Sequence, residues 1–374
     1  MFINDIFELD NIFTYEKEIS KKTGFPITNL SYWNASPEYK DYMLRSIIIP
    51  TDSNLFNYQY SYDIPKTIRH KILYKLGVRN IQNKMCLLTS SSTNSIINII
   101  NYLKLNGYHK ICILNPSYFS VEQACKIFNF SYEKKSMSCR YGEYTIPVDY
   151  ILKNNFDAIW LTSPIYSTSI QYDNSQIAAI YKLIEAHILV IADESLALPG
   201  QELCKKIPIN QYFFAIYSPH KPLFINSIKF SAIVCPLEND DFLEQWIDVL
   251  GGALLQSNLV AIHHYLSPNF QLCLNQSMQW YSRSIEVINQ ILKSFPDTYC
   301  NIQSIGPYVT IYIPKATKNV NELSNIQNII SENFVSYIPG IYNGVDEHYC
   351  FRVNLSLELH QIENALYRIL HYYA

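Results

Sequence analysis

Glycine is scarce in this chain, 10 among 374 residues, against the roughly 7% of average proteins. Genome-wide compositional drift explains this, and it removes glycines from places where motifs usually carry them. Charge is also sparse. Asp, Glu, Lys and Arg make up 16% of the residues and the net charge is -3, with a pI near 6.3. A nucleic-acid-binding surface needs clustered Lys and Arg, so that function class is set aside. No run reaches the roughly 18 uninterrupted apolar residues of a transmembrane helix. Met1 to Asp10 carries Asp5, Glu8 and Asp10 without a basic start, so no signal peptide is expected. The nine cysteines are scattered, with no C-x-x-C pair. That excludes the usual zinc spacing, leaves metal ligands at none, and points to reduced, mostly buried thiols in a cytoplasmic protein.

What is present is a large apolar fraction, 48%, enough to bury a sizeable core. The length suits two domains better than one. From about residue 65 the pattern alternates. Helices are predicted over 65–76, 92–105, 118–128 and 175–186. Short apolar strands are predicted over 84–88, 110–114, 158–161, 188–192, 213–217 and 229–234. Such alternation predicts an α/β fold, a mostly parallel sheet flanked by helices on both faces. After about 240 the texture changes to a smaller α+β part. It comprises a helix or broken pair over 241–266, a long helix over 277–294, strands over 308–313 and 350–355, and helices over 321–333 and 357–372.

Sheets of this kind bind ligands at the carboxyl ends of their strands. Asp193, in Val190-Ile191-Ala192-Asp193-Glu194, and Lys221, in Ser218-Pro219-His220-Lys221, each follow such a run. A lysine able to form a Schiff base, with an aspartate to hold a pyridinium nitrogen, is what pyridoxal phosphate chemistry needs. Apolar surroundings would lower the lysine pKa and favour the attacking neutral amine; a solvent-facing loop lysine is the alternative. Asp193 equally fits an ion pair with a neighbouring Lys or Arg. Ser90 to Ser95 joins a strand to a helix and reads as a phosphate cup or as an ordinary Ser/Thr-rich N-cap. Tyr118 would lie on a planar ring or simply in the core. Ser163, in Thr162-Ser163-Pro164, could present a hydroxyl to the ligand. Lys229 is a phosphate cation or an edge lysine. Arg352, inside the apolar Phe351 to Leu355 pattern, wants a carboxylate, either from a substrate or from an internal salt bridge. His220 is expected to point away from the ligand ring.

In their order and spacing these residues resemble the fold-type I pyridoxal-phosphate enzymes of the aspartate aminotransferase superfamily, class I/II. The resemblance runs from about Leu30 to the C-terminus. It implies a large cofactor domain over 45–245, a small domain built from 1–44 and 246–374, and a homodimer with shared active sites. Lys221 resembles the Schiff-base lysine, Ser218 a phosphate-binding hydroxyl and Asp193 the pyridinium partner. Ser91, Ser92 and Thr93 resemble the phosphate loop, and Tyr118 the stacking aromatic. Arg352 resembles the arginine that grips the substrate α-carboxylate. Tyr58, with Tyr60 as a substitute, resembles the tyrosine that reaches the neighbouring subunit's phosphate, and Pro339-Gly340 also follows the family pattern.

Three positions depart from that pattern. Tyr166 stands where the family has an asparagine to the ring oxygen, Leu196 where it has a tyrosine, and Lys229 where it has an arginine. The resemblance therefore implies an aminotransferase-like enzyme using pyridoxal 5'-phosphate on an amino acid. The alternative is a specialised-metabolism relative catalysing elimination, cyclisation or oxidation. A non-catalytic binding protein on the same fold is a third reading; no appended helix-turn-helix supports it, and the lysine is retained.

Overall fold

The computed structural model describes residues 4–47, 59–140, 143–237, 240–300, 305–313, 322–340 and 349–374. Seven strands form the main sheet: β1 (Lys84–Thr89), β2 (Lys110–Asn115), β3 (Ser131–Ser136), β4 (Ala158–Thr162), β5 (Leu189–Glu194), β6 (Phe213–Tyr217) and β7 (Ser231–Pro236). Their order is β1-β7-β6-β5-β4-β2-β3. The five strands from β6 to β3 run parallel. Only β7 is reversed, antiparallel to both β1 and β6. Its first residue, Ser231, pairs with the last of β1, Thr89. That reversal brings Lys229 to the same edge as the carboxyl ends of the parallel strands.

Alternation along the strands explains the two covered faces. In β6, Phe214 and Ile216 join one apolar cluster with Ile96, Ile99 and Leu103 of the helix Ser92–Leu105. Phe213, Ala215 and Tyr217 join the other, larger cluster. The missed strand is β3, Ser-Tyr-Glu-Lys-Lys-Ser. It lies at the sheet edge and is largely exposed, so it carries none of the apolar signal that marks its neighbours and presents charge instead.

The helix over 241–266 is a broken pair, Asp240–Gly251 and Gln256–Leu266. Gly252, at φ +66°, closes the first with its N–H on the Asp248 carbonyl, a left-handed ending that glycine adopts without strain. Pro268 then opens a helix that extends to Leu292, earlier than predicted, because proline suits a first helical turn. β8 (Tyr308–Ile313) pairs antiparallel with β9 (Tyr349–Asn354), placing Thr310 opposite Arg352. Thr28–Asn29 runs parallel to Val335–Ser336, so both ends of the chain meet. No helix among the described residues is long and apolar enough to cross a membrane.

Candidate active site

The loops after β1, β2, β4, β5 and β6 converge on one edge of the sheet. Asp193 is the penultimate residue of β5 and is 2% exposed. Its Oδ1 accepts from the Ser195 N–H at 3.1 Å and the Ser195 hydroxyl at 2.5 Å. Its Oδ2 takes no protein donor among the described residues, so one carboxylate oxygen is left for a further partner. Lys221 opens a short helical turn after β6. Its Nζ lies 3.4 Å from the Ser92 hydroxyl and 4.9 Å from the Tyr118 ring centroid. Burial lowers the Lys221 pKa; Asp193 acts to raise it and Arg352 to lower it further. The lysine, the aspartate and the arginine therefore share one electrostatic environment.

Ser91 caps the helix Ser92–Leu105, accepting from the Asn94 N–H at 3.2 Å, so its cap role is realised. Ser92 is buried beside Lys221, and Thr93 is half-buried in the first turn. The hydroxyls of Ser163 and Ser218 are buried without a partner among the described residues. Buried polar atoms are normally paired, so these two can take a donor or acceptor from a bound molecule. Lys229 is half-buried, and its carbonyl receives the Asn258 side-chain amide at 2.7 Å. Tyr58 lies outside the described residues; Tyr60 stacks on Tyr62 at 5.3 Å.

Tyr166 is buried, and burial raises its pKa. Its hydroxyl lies 3.5 Å from Arg352 Nη1 and its ring 6.0 Å from that of Tyr118. Leu196 is buried. Arg352 is buried in the middle of β9, and no carboxylate pairs with it among the described residues. Its Nε and Nη2 donate to the Ser31 carbonyl at 3.1 and 2.8 Å. Among the described residues no internal salt bridge forms, and the Nη1 edge of the fork meets only the Tyr166 and Ser167 hydroxyls, each at 3.5 Å. His220 packs against His264, Phe230 and Phe270.

Sequence reasoning missed Ser31, Trp33, Ser195 and Asn258, all of which touch these residues. Ser195, two residues after Asp193, was the one with a local signal, because a Ser at that offset can bond back to an Asp.

No protein-family model matches the chain, and no curated protein matches it. Solved structures do. A putative kynurenine aminotransferase from Saccharomyces cerevisiae is 13% identical, with 97% of this chain and 96% of that one covered and a TM-score of 0.77. An aspartate aminotransferase mutant from Thermus thermophilus is 12% identical over 98% and 96% of the two chains, TM-score 0.77. A C-S lyase from Staphylococcus hominis, solved with pyridoxal phosphate, is 15% identical over 93% and 89%, TM-score 0.72. At such identities the likeness is one of fold: this chain has the fold that those aminotransferases and that lyase share.

Proposed function

We propose that the chain is a pyridoxal 5'-phosphate-dependent, aminotransferase-like enzyme acting on an amino acid. The observation that carries this is the joint placement of Lys221, Asp193 and Arg352. Lys221, its pKa lowered, and Asp193, one oxygen of which takes no donor among the described residues, follow neighbouring strands at the sheet edge, and Arg352, without a carboxylate among the described residues, is linked to Lys221 through the Tyr118 and Tyr166 rings. The unpartnered Ser163 and Ser218 hydroxyls fit a ligand bearing a phenolic oxygen and a phosphate. Ser91, Ser92, Thr93, Ser218 and Lys229 would hold the phosphate, with Tyr58 reaching it from a second copy. Tyr118 would lie on the ring, and Ser163 and Tyr166 would face its oxygen.

When bound, the cofactor supplies an electron-withdrawing ring that acidifies the Cα hydrogen of an amino acid. Asp193 would hold the proton on the pyridine nitrogen. Lys221 would hold the cofactor by its aldehyde until a substrate amine displaces it, and the amine so freed, kept neutral by burial, would carry the Cα proton. Arg352 would orient the substrate carboxylate.

The proposed large domain is 45–245, and the small one joins 1–44 to 246–374; the pairing of Thr28–Asn29 with Val335–Ser336 supports that grouping. A homodimer with shared sites accords with exposed Tyr62, Val249 and Leu255 beside the start of the described segment at Gln59. A cytoplasmic location follows from the same reading.

A second reading, elimination, cyclisation or oxidation, is favoured by one observation: where the resemblance has an asparagine and a tyrosine facing the ring oxygen, this chain has Tyr166, whose hydroxyl lies within 3.5 Å of Arg352 Nη1, and the apolar Leu196. Both readings meet the same first test. Purified protein supplied with pyridoxal phosphate should turn yellow, and borohydride should fix the label on Lys221, with neither seen in Lys221→Ala. A colourless protein with no label sinks the cofactor. A keto acid formed from an amino acid with a keto-acid acceptor then selects transamination over the second reading.

A further inference from the structure

Arg352 is a buried cation with no acidic partner among the described residues, a costly arrangement unless other groups stabilise it. Two of its N–H groups go to one carbonyl, that of Ser31. Among the described residues its remaining edge sees only the hydroxyls of Tyr166 and Ser167, both at 3.5 Å, the outer limit of a hydrogen bond. What covers its face is Trp33. The Arg352 Cζ lies over the Trp33 ring, 3.5 Å from its centroid, a cation–π contact. Tyr308 stands farther off, at 4.9 Å.

Trp33 is itself held from both sides. The Asn354 amide donates to the carbonyls of Tyr32 and Asn34, each at 2.9 Å. The Ser31 hydroxyl donates to the Arg352 carbonyl at 2.7 Å and accepts from the Ile338 N–H at 2.8 Å. The backbone flanking the indole is therefore tied to the strand that carries the arginine. The ring also meets Tyr118 edge-on at 6.3 Å.

We infer that Trp33 is a positioning residue for Arg352: it fixes the plane of the guanidinium so that the free edge takes the carboxylate of the substrate. This rests on the proposed role of Arg352. The alternative is that Trp33 packs there for stability alone.

The probe is propionate, a carboxylate without an amine, titrated by ligand-observed NMR into the cofactor-treated protein. Trp33→Ala should raise the half-saturating concentration about tenfold, the size of a partly desolvated cation–π contact. Trp33→Phe should recover most of it. In an Arg352→Gln background, adding Trp33→Ala should change the value by less than about twofold, because no cation remains to be held. An unchanged value in Trp33→Ala, or an equal loss in both backgrounds, overturns the inference. Should Trp33→Ala fail to fold, Trp33→Leu, which keeps apolar bulk without a π face, decides it: binding as tight as the wild type overturns the role. The yellow band and the Lys221 label report on the cofactor separately. Band and label with no dependence on Trp33 defeat this inference alone. Trp33 dependence without band or label defeats the proposed function and leaves the arginine clamp standing.

Discussion

The Nε2 of His220 lies 3.1 Å from the Nδ1 of His264, so one imidazole serves the other as donor or acceptor inside the core. Phe230 and Phe270 flank His220. The Cys273 sulfur lies 3.7 Å from His264 Nε2. The ammonium of Lys75 sits over the Tyr265 and Phe270 rings at 4.6 and 5.0 Å.

Burial, then His264, then Lys75 push the His220 pKa down to about 3, and burial and Lys75 lower that of His264. Both rings are therefore neutral in the folded protein near neutral pH. The unfolded chain binds a proton at His220 below about 6.5, while the folded chain does not until about 3. Stability from this residue is complete above 6.5 and falls as the pH drops through that window, by about 1.4 kcal/mol per pH unit. Melting curves at pH 7 and pH 5 check this: His220→Gln should lose less on acidification than the wild type. Equal losses would show that the pair is not the source.

Glu194 predicts the opposite slope. Burial, and after it Glu202, raise its pKa from 4.5 to about 8, against the lowering effect of the Leu203 and Cys204 N–H groups. Those two donors lie at 2.6 and 3.2 Å. The folded carboxyl keeps a proton that the unfolded one releases, so stability declines as the pH rises from about 4.5 to about 8 and levels off above that. In Glu194→Gln that decline should flatten. A variant whose melting temperature tracks the wild type between pH 5 and pH 8 would refute the assignment.

Asn258 ties two candidate phosphate segments together. Its amide donates to the carbonyls of Ser90 and Lys229 at 3.2 and 2.7 Å, and its oxygen accepts the Leu255 N–H at 2.7 Å. Asn258→Leu keeps the bulk and strands all three groups. The expected cost is about 1–3 kcal/mol of stability, read from denaturant unfolding. Weaker pyridoxal phosphate binding, read from titration of the visible band, should accompany it. Asn258→Leu with unchanged stability and cofactor affinity would remove the clasp from the account.

Much of the sheet and several of the polar residues at its strand ends could be read from the chain itself. Short buried strands are apolar because both faces are covered, so a polar residue at the end of such a run stands out; Asp193 and Lys221 were legible for that reason. The helix Ser92–Leu105 was legible from its Ser-rich cap and its buried isoleucines. β3 was not, since an exposed edge strand needs no apolar side chains. The reversal of β7 was not either, because an apolar run carries no direction.

Local sequence thus determined the α/β alternation, the strand ends and the residue types waiting there, through burial periodicity and capping. Tertiary structure alone decided the company they keep. Ser31 and Arg352 are 321 residues apart, and no periodic pattern records that Trp33 covers the guanidinium or that Asn258 bridges Ser90 to Lys229. Such contacts arise when packing closes long loops, and the pairing is set by the shape of the assembled layers rather than by any neighbour in the chain.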